Sequence, residues 1–391
     1  MRLAESMARL GTESAFEVLA KAKAVEAQGK QVVHLEIGEP DFPTPAHITE
    51  AAIEALRGGA THYTPSSGIP ELREAIAEDA GRRRGIDIRP LEVVVTPGAK
   101  PIMFFGLVSL LNPGEEVVCP DPGFPIYGSV INFLGAKPVP IPLREANDFA
   151  FDLDLLRSSV TDRTRLIILN SPQNPTGGVL DRAAIEEIAR LAQRHDCWVL
   201  SDEIYGRILY EGEHVSIAAL PGMRERTIIL DGFSKTYAMT GWRLGYGIMP
   251  EELAEQLAKL VTNSVSCTAT FTQHAGIAAL QGPQQAVDDM VAEFRARREL
   301  VVRGLNEIPG ISCRWPHGAF YAFPNISGLG LSSAELANLL LLEHGVATLS
   351  GASFGASGEG YLRLSYANSQ DNLREALRRM GEAAAALRSQ L

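Results

Sequence analysis

The sequence predicts an α/β protein: a large domain with a mainly parallel sheet flanked by helices, plus a smaller α+β C-terminal domain. Two observations carry this prediction. Up to about residue 285, short apolar runs rich in β-branched residues alternate with stretches of helical periodicity, which is typical of repeated strand–helix–strand units. Beyond that point, a long charged helical pattern precedes shorter strand and helix patterns.

The predicted strands of the large domain are short, and most are almost continuously apolar, as expected of strands buried on both faces. They cover residues 91–95, 116–119, 138–141, 166–170, 198–202 and 227–231, and helical patterns at 102–111 and 181–194 lie between them. In the C-terminal part, helices are predicted at 287–305, 335–343 and 373–388, and strands at 318–324, 346–349 and 362–366. The order of the strands does not follow from these patterns.

Composition narrows the possible functions. The chain has 36 Lys and Arg against 47 Asp and Glu, a net charge of −11. Most of its surface should therefore repel nucleic acids and anionic membranes, and we expect neither as a partner. Four widely separated cysteines and eight scattered histidines predict no disulfide framework and no metal site. Because no long apolar run or targeting segment is recognisable, we expect a cytoplasmic protein.

Polar clusters follow four of the predicted strands. They cover residues 98–100, 170–177, 201–205 and 231–237. In α/β proteins, ligands bind beyond the carboxyl ends of the parallel strands. One such cluster would be an ordinary loop, but four in series predict a shared pocket.

Lys235 and Asp202 are the two residues in these clusters that most suggest chemistry. A lysine in a partly desolvated pocket can lose its proton and form a Schiff base with a carbonyl, although most single lysines are simply exposed. A carboxylate at the end of a buried strand needs a cation or donor, and the pyridinium nitrogen of a cofactor would serve. The alternative for Asp202 is a helix N-cap.

Two further groups suggest anion binding. Gly98, Ala99 and Lys100 open a helix directly after a strand, so free backbone N–H groups there can bind a phosphate, with help from Ser234 and Arg243. The alternative is a plain strand–helix turn. Arg363 lies in a strand pattern and can bind a carboxylate through two parallel hydrogen bonds; the alternative is a salt bridge at a strand edge.

Taken together, these motifs resemble those of the class I aminotransferases, which are pyridoxal 5'-phosphate enzymes of fold type I. The resemblance is carried by Asn-Pro-Thr-Gly at 174–177, Ser-Asp-Glu-Ile-Tyr at 201–205 and Ser-Lys-Thr-Tyr-Ala-Met-Thr-Gly-Trp-Arg at 234–243. Residues 38–45, Tyr63 and Arg363 also fit. It implies an N-terminal segment (1–45) that packs on the small domain, a large cofactor-binding domain (46–285) and a small C-terminal domain (286–391).

The resemblance also implies roles around the cofactor ring. Lys235 would bond covalently to the cofactor and later shuttle a proton at the substrate α-carbon. Asp202 would keep the ring nitrogen protonated. Tyr205 and Asn174 would hydrogen-bond to the ring hydroxyl. Phe124 would stack on the ring face, where many relatives have tryptophan. Lys235, Asp202 and Tyr205 are thus the expected catalytic residues.

For the phosphate and the substrate, the resemblance implies two further groups. The phosphate would be held by Gly98, Ala99, Lys100, Ser234 and Arg243, with Tyr63 reaching in from a second subunit. The substrate α-carboxylate would be held by Arg363, Asn174 and the backbone of Gly38. The ammonium of Lys100 would face the side chain of an acidic substrate, unless it points to solvent or pairs with a nearby acid.

The expected activity is therefore that of a homodimeric aminotransferase. An amino acid would give up its amine to become a 2-oxo acid, and a second 2-oxo acid would accept the amine, with glutamate and 2-oxoglutarate as one pair and aspartate as a further donor. Phe16 and Ile37 keep an aromatic or aliphatic donor open. A β-eliminating lyase or a racemase on the same scaffold is a second alternative. A non-catalytic binding module is disfavoured.

Overall fold

The computed structural model describes residues 3–389 and confirms the predicted α/β fold. Its strands are β1 (Val33–His34), β2 (Val93–Thr96), β3 (Glu116–Asp121), β4 (Lys137–Pro142), β5 (Thr164–Asn170), β6 (Trp198–Asp202), β7 (Thr227–Gly232), β8 (Gly245–Ile248), β9 (Tyr321–Ala322), β10 (Val346–Ala347), β11 (Leu349–Ser350) and β12 (Leu362–Ser365).

The helices alternate with these strands. They are α1 (Ser14–Glu26), α2 (Ala46–Arg57), α3 (Pro70–Arg84), α4 (Lys100–Leu110), α5 (Pro125–Phe133), α6 (Leu153–Ser159), α7 (Arg182–Arg194), α8 (Glu251–Ser264), α9 (Thr270–Gln281), α10 (Gln285–Glu307), α11 (Ser333–Leu342) and α12 (Gln370–Arg388). No helix within residues 3–389 has both the length and the apolar composition that crossing a membrane requires.

The large sheet has seven strands in the order β2-β8-β7-β6-β5-β3-β4, and only β8 runs antiparallel to its neighbours. Alternate residues of a strand point to opposite faces. In β5, Leu166 and Ile168 pack in the core that contains α4 and α5, whereas Ile167 and Leu169 pack with α6 and α7. Helices on both faces explain why the predicted strands read as continuous apolar runs.

All six strands predicted for the large domain are present, but β8 was not predicted. Its sequence, Gly-Tyr-Gly-Ile, is short, and its two glycines weaken the strand pattern. Gly245 has a structural reason: a Cβ there would lie 2.4 Å from the backbone nitrogen of Ala99. Strand β8 therefore packs closely against the turn that starts α4. The predicted strand at 318–324 is also shorter than expected, since only Tyr321–Ala322 pairs with β12.

The C-terminal part contains the three-stranded antiparallel sheet β11-β12-β9, with α10, α11 and α12. The N-terminal segment joins it, because β1 pairs in parallel with β10, Val33 opposite Val346. Ala15 of α1 packs against Leu349 and Phe354 in the same region. The N-terminal segment therefore contacts the C-terminal part of the chain through β1 and α1.

Candidate active site

A cavity of about 500 Å³ lies at the carboxyl ends of the parallel strands. Asp202 is the last residue of β6 and Lys235 follows β7, so the sheet itself brings the predicted clusters together. Most of the predicted site residues line this cavity: Gly38, Ala99, Lys100, Phe124, Asn174, Asp202, Tyr205, Ser234, Lys235, Arg243 and Arg363. Gly98 lies directly beside Arg243.

Lys235 is half-buried in the turn after β7 and does not resemble an ordinary surface lysine. Its Nζ donates a hydrogen bond of 2.5 Å to the carbonyl of Gly38. Burial lowers the pKa of Lys235 to about 8, and the nearby carboxylates of Glu39 and Glu13 oppose that shift. About a tenth of this amine is therefore neutral, and hence nucleophilic, at pH 7, far more than for an ordinary lysine.

Asp202 is buried at the floor of the cavity. Its Oδ2 accepts a hydrogen bond of 2.5 Å from the phenol of Tyr127, and its Oδ1 accepts one of 3.2 Å from the backbone N–H of Ile204. No helix follows β6 directly, so the helix-cap alternative does not apply. Burial raises the pKa of Asp202 to about 6. In residues 3–389 no cation pairs with this carboxylate. It can therefore pair with a cationic group of a ligand.

Arg363 lies on the opposite side, in β12, and is only 2% exposed. Its Nη1 is 3.5 Å from Asn174 Oδ1, and its Nη2 donates to the carbonyl of Glu36. Its Nε has no hydrogen-bond partner within the part of the chain that the structure describes. The guanidinium stacks on the ring of Tyr321, 4.6 Å from the centroid. An incompletely bonded, buried guanidinium fits the recognition of a carboxylate better than a strand-edge salt bridge.

Tyr205 completes this side of the cavity. Its hydroxyl hydrogen-bonds to that of Tyr321 at 2.7 Å, and the two rings meet edge to face. A Cβ at Gly38 would collide with this same Tyr321 hydroxyl, at 2.1 Å. Glycine is thus required for the backbone at Gly38 to approach both Tyr321 and Lys235.

The other end of the cavity is suited to an anion. Gly98 has φ +84°, and a Cβ there would lie 2.1 Å from Nη2 of Arg243. At the start of α4, Pro101 has no N–H and Ile102 N–H donates to Ala99 O at 3.0 Å, so the backbone N–H groups of Ala99 and Lys100 are the ones left to meet a ligand. Ser234 lies nearby on the cavity wall, and Arg243 Nη1 donates to Thr240 O at 2.7 Å. Free N–H groups, a hydroxyl and a guanidinium are groups that can bind an anion such as a phosphate.

Two predicted residues are placed differently from the rest. The ammonium of Lys100 lies 2.6 Å from Glu13 Oε2 and 5.3 Å from the centroid of the Phe124 ring, so it pairs with an acid of its own chain. Tyr63 is 88% exposed and is outside the described cavity lining.

Sequence reasoning missed three residues that shape the site: Tyr127, Tyr321 and Glu13. Tyr127 could have been found, because it lies three residues after Phe124, a spacing that brings two side chains together at the start of a helix. In the structure the two rings meet at 5.5 Å. For Tyr321 and Glu13 no local signal exists. Tyr321 lies in β9 and Glu13 directly precedes α1, so both reach the cavity through contacts between distant parts of the chain.

The comparisons with known proteins agree with this geometry. The profile of the family described as "Aminotransferase class I and II" matches residues 30–380. Aspartate aminotransferase of Pyrococcus abyssi is 46% identical over 91% of this chain and 92% of its own. Aromatic-amino-acid aminotransferase 2 of Thermococcus litoralis is 46% identical over 90% and 92%. The structure of Thermus thermophilus aspartate aminotransferase with maleate is 39% identical, with a TM-score of 0.94 over 98% of this chain and 100% of that one. Given such identity over almost its whole length, the chain belongs to the class I and II aminotransferases.

Proposed function

We propose that this aminotransferase uses pyridoxal 5'-phosphate to move the amino group of an L-amino acid to a 2-oxo acid in two half-reactions. The observation that carries the proposal is the meeting of three groups in one cavity: the half-buried amine of Lys235, the carboxylate of Asp202 and the guanidinium of Arg363. They offer a nucleophile, an anion for a ring cation and a cation for a carboxylate.

The residues of the cavity fit this cofactor. Gly98, Ala99, Ser234 and Arg243 would hold its phosphate at the start of α4. Asp202 offers the ring nitrogen a carboxylate that lacks a cation in the part of the chain described. Phe124 lies in the cavity wall and offers a flat apolar surface to the ring. When bound, the cofactor supplies an electrophilic carbonyl and an electron-withdrawing ring.

The chain's own residues then divide the work. Arg363, Asn174 and the backbone of Gly38 would bind the α-carboxylate of the amino acid and so fix its orientation. Lys235 Nζ, as a neutral amine, would remove the α-proton and later return it to the carbon on the other side of the amine nitrogen. Tyr205 and Asn174, which also line the cavity, would hydrogen-bond to the hydroxyl of the cofactor ring.

For the substrates, we propose glutamate and 2-oxoglutarate as one pair and aspartate as a further donor. Lys100 supports this choice because its ammonium lines the cavity and can bind a distal carboxylate. An aromatic or aliphatic donor is the second candidate, favoured by Phe16 and Ile37 in the same lining. Relatives of both kinds occur, named for aspartate and for aromatic amino acids. A β-eliminating lyase is the remaining alternative.

We further propose that the active unit is a cytoplasmic homodimer in which Tyr63 serves the phosphate of the neighbouring subunit. The support for this is the 88% exposure of Tyr63, unusual for a large aromatic residue. Sedimentation at assay concentration measures the assembly. A fully active monomer would contradict this part of the proposal.

A panel of amino acids tests the activity itself. The enzyme loaded with pyridoxal 5'-phosphate is mixed with each amino acid in turn. The 2-oxo acid product and the amine form of the cofactor are then measured. The proposal expects both products, and restoration of the original cofactor by 2-oxoglutarate. Release of ammonia with pyruvate from cysteine conjugates, without the amine form, would instead show a lyase.

A further inference from the structure

The charges of the cavity leave one cation for the substrate side chain. Four cations line it: Lys100, Lys235, Arg243 and Arg363. In the proposed function Lys235 acts as the amine, Arg243 holds the phosphate and Arg363 holds the α-carboxylate. Lys100 alone is left to meet the distal end of the substrate, and its ammonium is already 2.6 Å from the carboxylate of Glu13.

Glu13 reaches Lys100 from a separate part of the chain. It directly precedes α1, and its side chain makes no capping hydrogen bond to that helix. The next residue but one, Ala15, packs on Leu349 and Phe354 of the small domain, whereas Lys100 is the first residue of α4 in the large domain. The ion pair therefore spans the cavity between two structural units, and both of its members line that cavity.

We infer that Glu13 determines substrate preference by occupying Lys100 in place of the distal carboxylate of an acidic substrate. An acidic donor has to displace Glu13 from Lys100 in order to bind. A donor with an uncharged side chain leaves the pair in place. This inference rests on the proposed function and adds to it the residue that sets the balance between the two classes of donor.

The exposure of the pair makes such an exchange feasible. The side chains of Lys100 and Glu13 are 50% and 21% exposed, respectively. Ion pairs that are partly open to water are weak, so a substrate carboxylate can replace one. For an uncharged donor the pair has the opposite effect, because it neutralises an ammonium that would otherwise face an apolar side chain. Phe16, three residues after Glu13, lines the same wall and offers apolar contact.

The test compares Glu13→Gln with Glu17→Gln. Glu17 also lies at the start of α1 but is exposed and outside the described cavity lining, so this control removes the same charge without touching Lys100. Apparent Kd values for glutamate, aspartate, phenylalanine and leucine are measured in the first half-reaction of the loaded enzyme. For Glu13→Gln we expect about two- to fivefold tighter binding of the acidic donors. The values for phenylalanine and leucine should be unchanged or weaker, and Glu17→Gln should match the wild type.

A calorimetric titration provides a readout that does not depend on turnover. Succinate and butyrate have the same number of carbons, but only succinate has a distal carboxylate. Glu13→Gln should tighten succinate binding about two- to fivefold and leave butyrate unchanged. Equal changes for both ligands, or no change for either, would overturn the inference while leaving the proposed activity intact. Failure of the wild type to transaminate any amino acid would overturn the proposed function instead.

Discussion

The phenol of Tyr127 and the carboxylate of Asp202 form a buried hydrogen bond of 2.5 Å beneath the cavity. Burial raises the pKa of Asp202 to about 6, and the Tyr127 phenol and the Ile204 N–H oppose this shift by stabilising the ionised form. Tyr127 therefore helps to keep Asp202 anionic near neutral pH. An anionic Asp202 is what a cationic ring nitrogen needs.

Replacing Tyr127 by phenylalanine removes this hydrogen bond and leaves the ring in place. We expect the pKa of Asp202 to rise further, by about one to two units, because a hydrogen bond to a charged group is worth about 1.5–3 kcal/mol. As the pH is lowered, Asp202 becomes protonated and binding of pyridoxine 5'-phosphate, which lacks the aldehyde, should weaken. This weakening should begin at a higher pH in Tyr127→Phe than in the wild type. The phosphate of the ligand titrates equally in both experiments. The difference between the two pH profiles of binding therefore comes from the protein alone. Identical pH profiles would contradict the role given to Tyr127.

Asp202→Asn keeps the shape of the side chain and removes its charge. The protein should fold and bind the cofactor, but kcat should fall by about 10²–10³-fold or more, because the ring nitrogen is no longer held as a cation. Steady-state kinetics, with cofactor content measured by absorbance, separates loss of rate from loss of cofactor. Near-normal turnover would mean that Asp202 has only a structural role.

The reactivity of Lys235 should depend on pH in a defined direction. With its pKa lowered to about 8, the amine loses its proton as the pH rises through 8, and only the neutral form attacks a carbonyl. The rate of covalent capture of the cofactor by the cofactor-free protein should therefore rise between about pH 7 and 9. An exposed lysine, with its usual pKa near 10.4, would still be accelerating above pH 9. Stopped-flow absorbance measures this rate.

Arg84, in α3, connects the segment directly after β6 to β7, and these two strands lead to the site residues. Its guanidinium bonds to Glu203 and to Asp231, each at 2.7 Å, and its side chain is 2% exposed. Glu203 follows Asp202, and Asp231 lies in β7 shortly before Lys235. Removing one member of a buried ion pair leaves an uncompensated charge, so Arg84→Met should lower the free energy of unfolding by about 3–5 kcal/mol.

Arg82→Met is the matched control for that measurement. Arg82 lies in the same helix, but its side chain is 69% exposed and pairs with Asp79. Exposed pairs contribute about 0–1 kcal/mol. Denaturant unfolding of both variants should show a large loss for Arg84→Met and a small one for Arg82→Met. Similar small losses would show that the buried network does not stabilise the sheet.

The parts of the fold that were predictable are those that local sequence controls. Strand β6 agrees with its prediction at both ends, because an apolar run and polar flanks set its limits. The short strand β8 was missed because its glycines fit tertiary contacts: Gly245 lies against the backbone of Ala99, and Gly247 lies against the side chain of Ile102. The strand order β2-β8-β7 could not be inferred from periodicity either, because the pairing of strands is also a tertiary contact.

The candidate site likewise contains residues that local sequence predicts and residues that only tertiary contacts bring in. Lys235 and Asp202 lie at the ends of recognisable strands, so their proximity follows from parallel strands ending at one edge. The partner of Lys100 could not be named, because Glu13 is far away in sequence and approaches through the docking of α1. Contacts made by docking of separate elements leave no periodic signal in either segment.

The central claim is that Lys235 is the residue bonded to the cofactor. Borohydride reduction of the loaded enzyme, followed by digestion and mass spectrometry, locates the attached pyridoxyl group. Lys100, in the same cavity, is the internal control. The account predicts the group on Lys235, none on Lys100, and loss of both attachment and transamination in a folded Lys235→Ala variant. Attachment at Lys100 or elsewhere, or a Lys235→Ala enzyme that turns over at the wild-type rate, would contradict it.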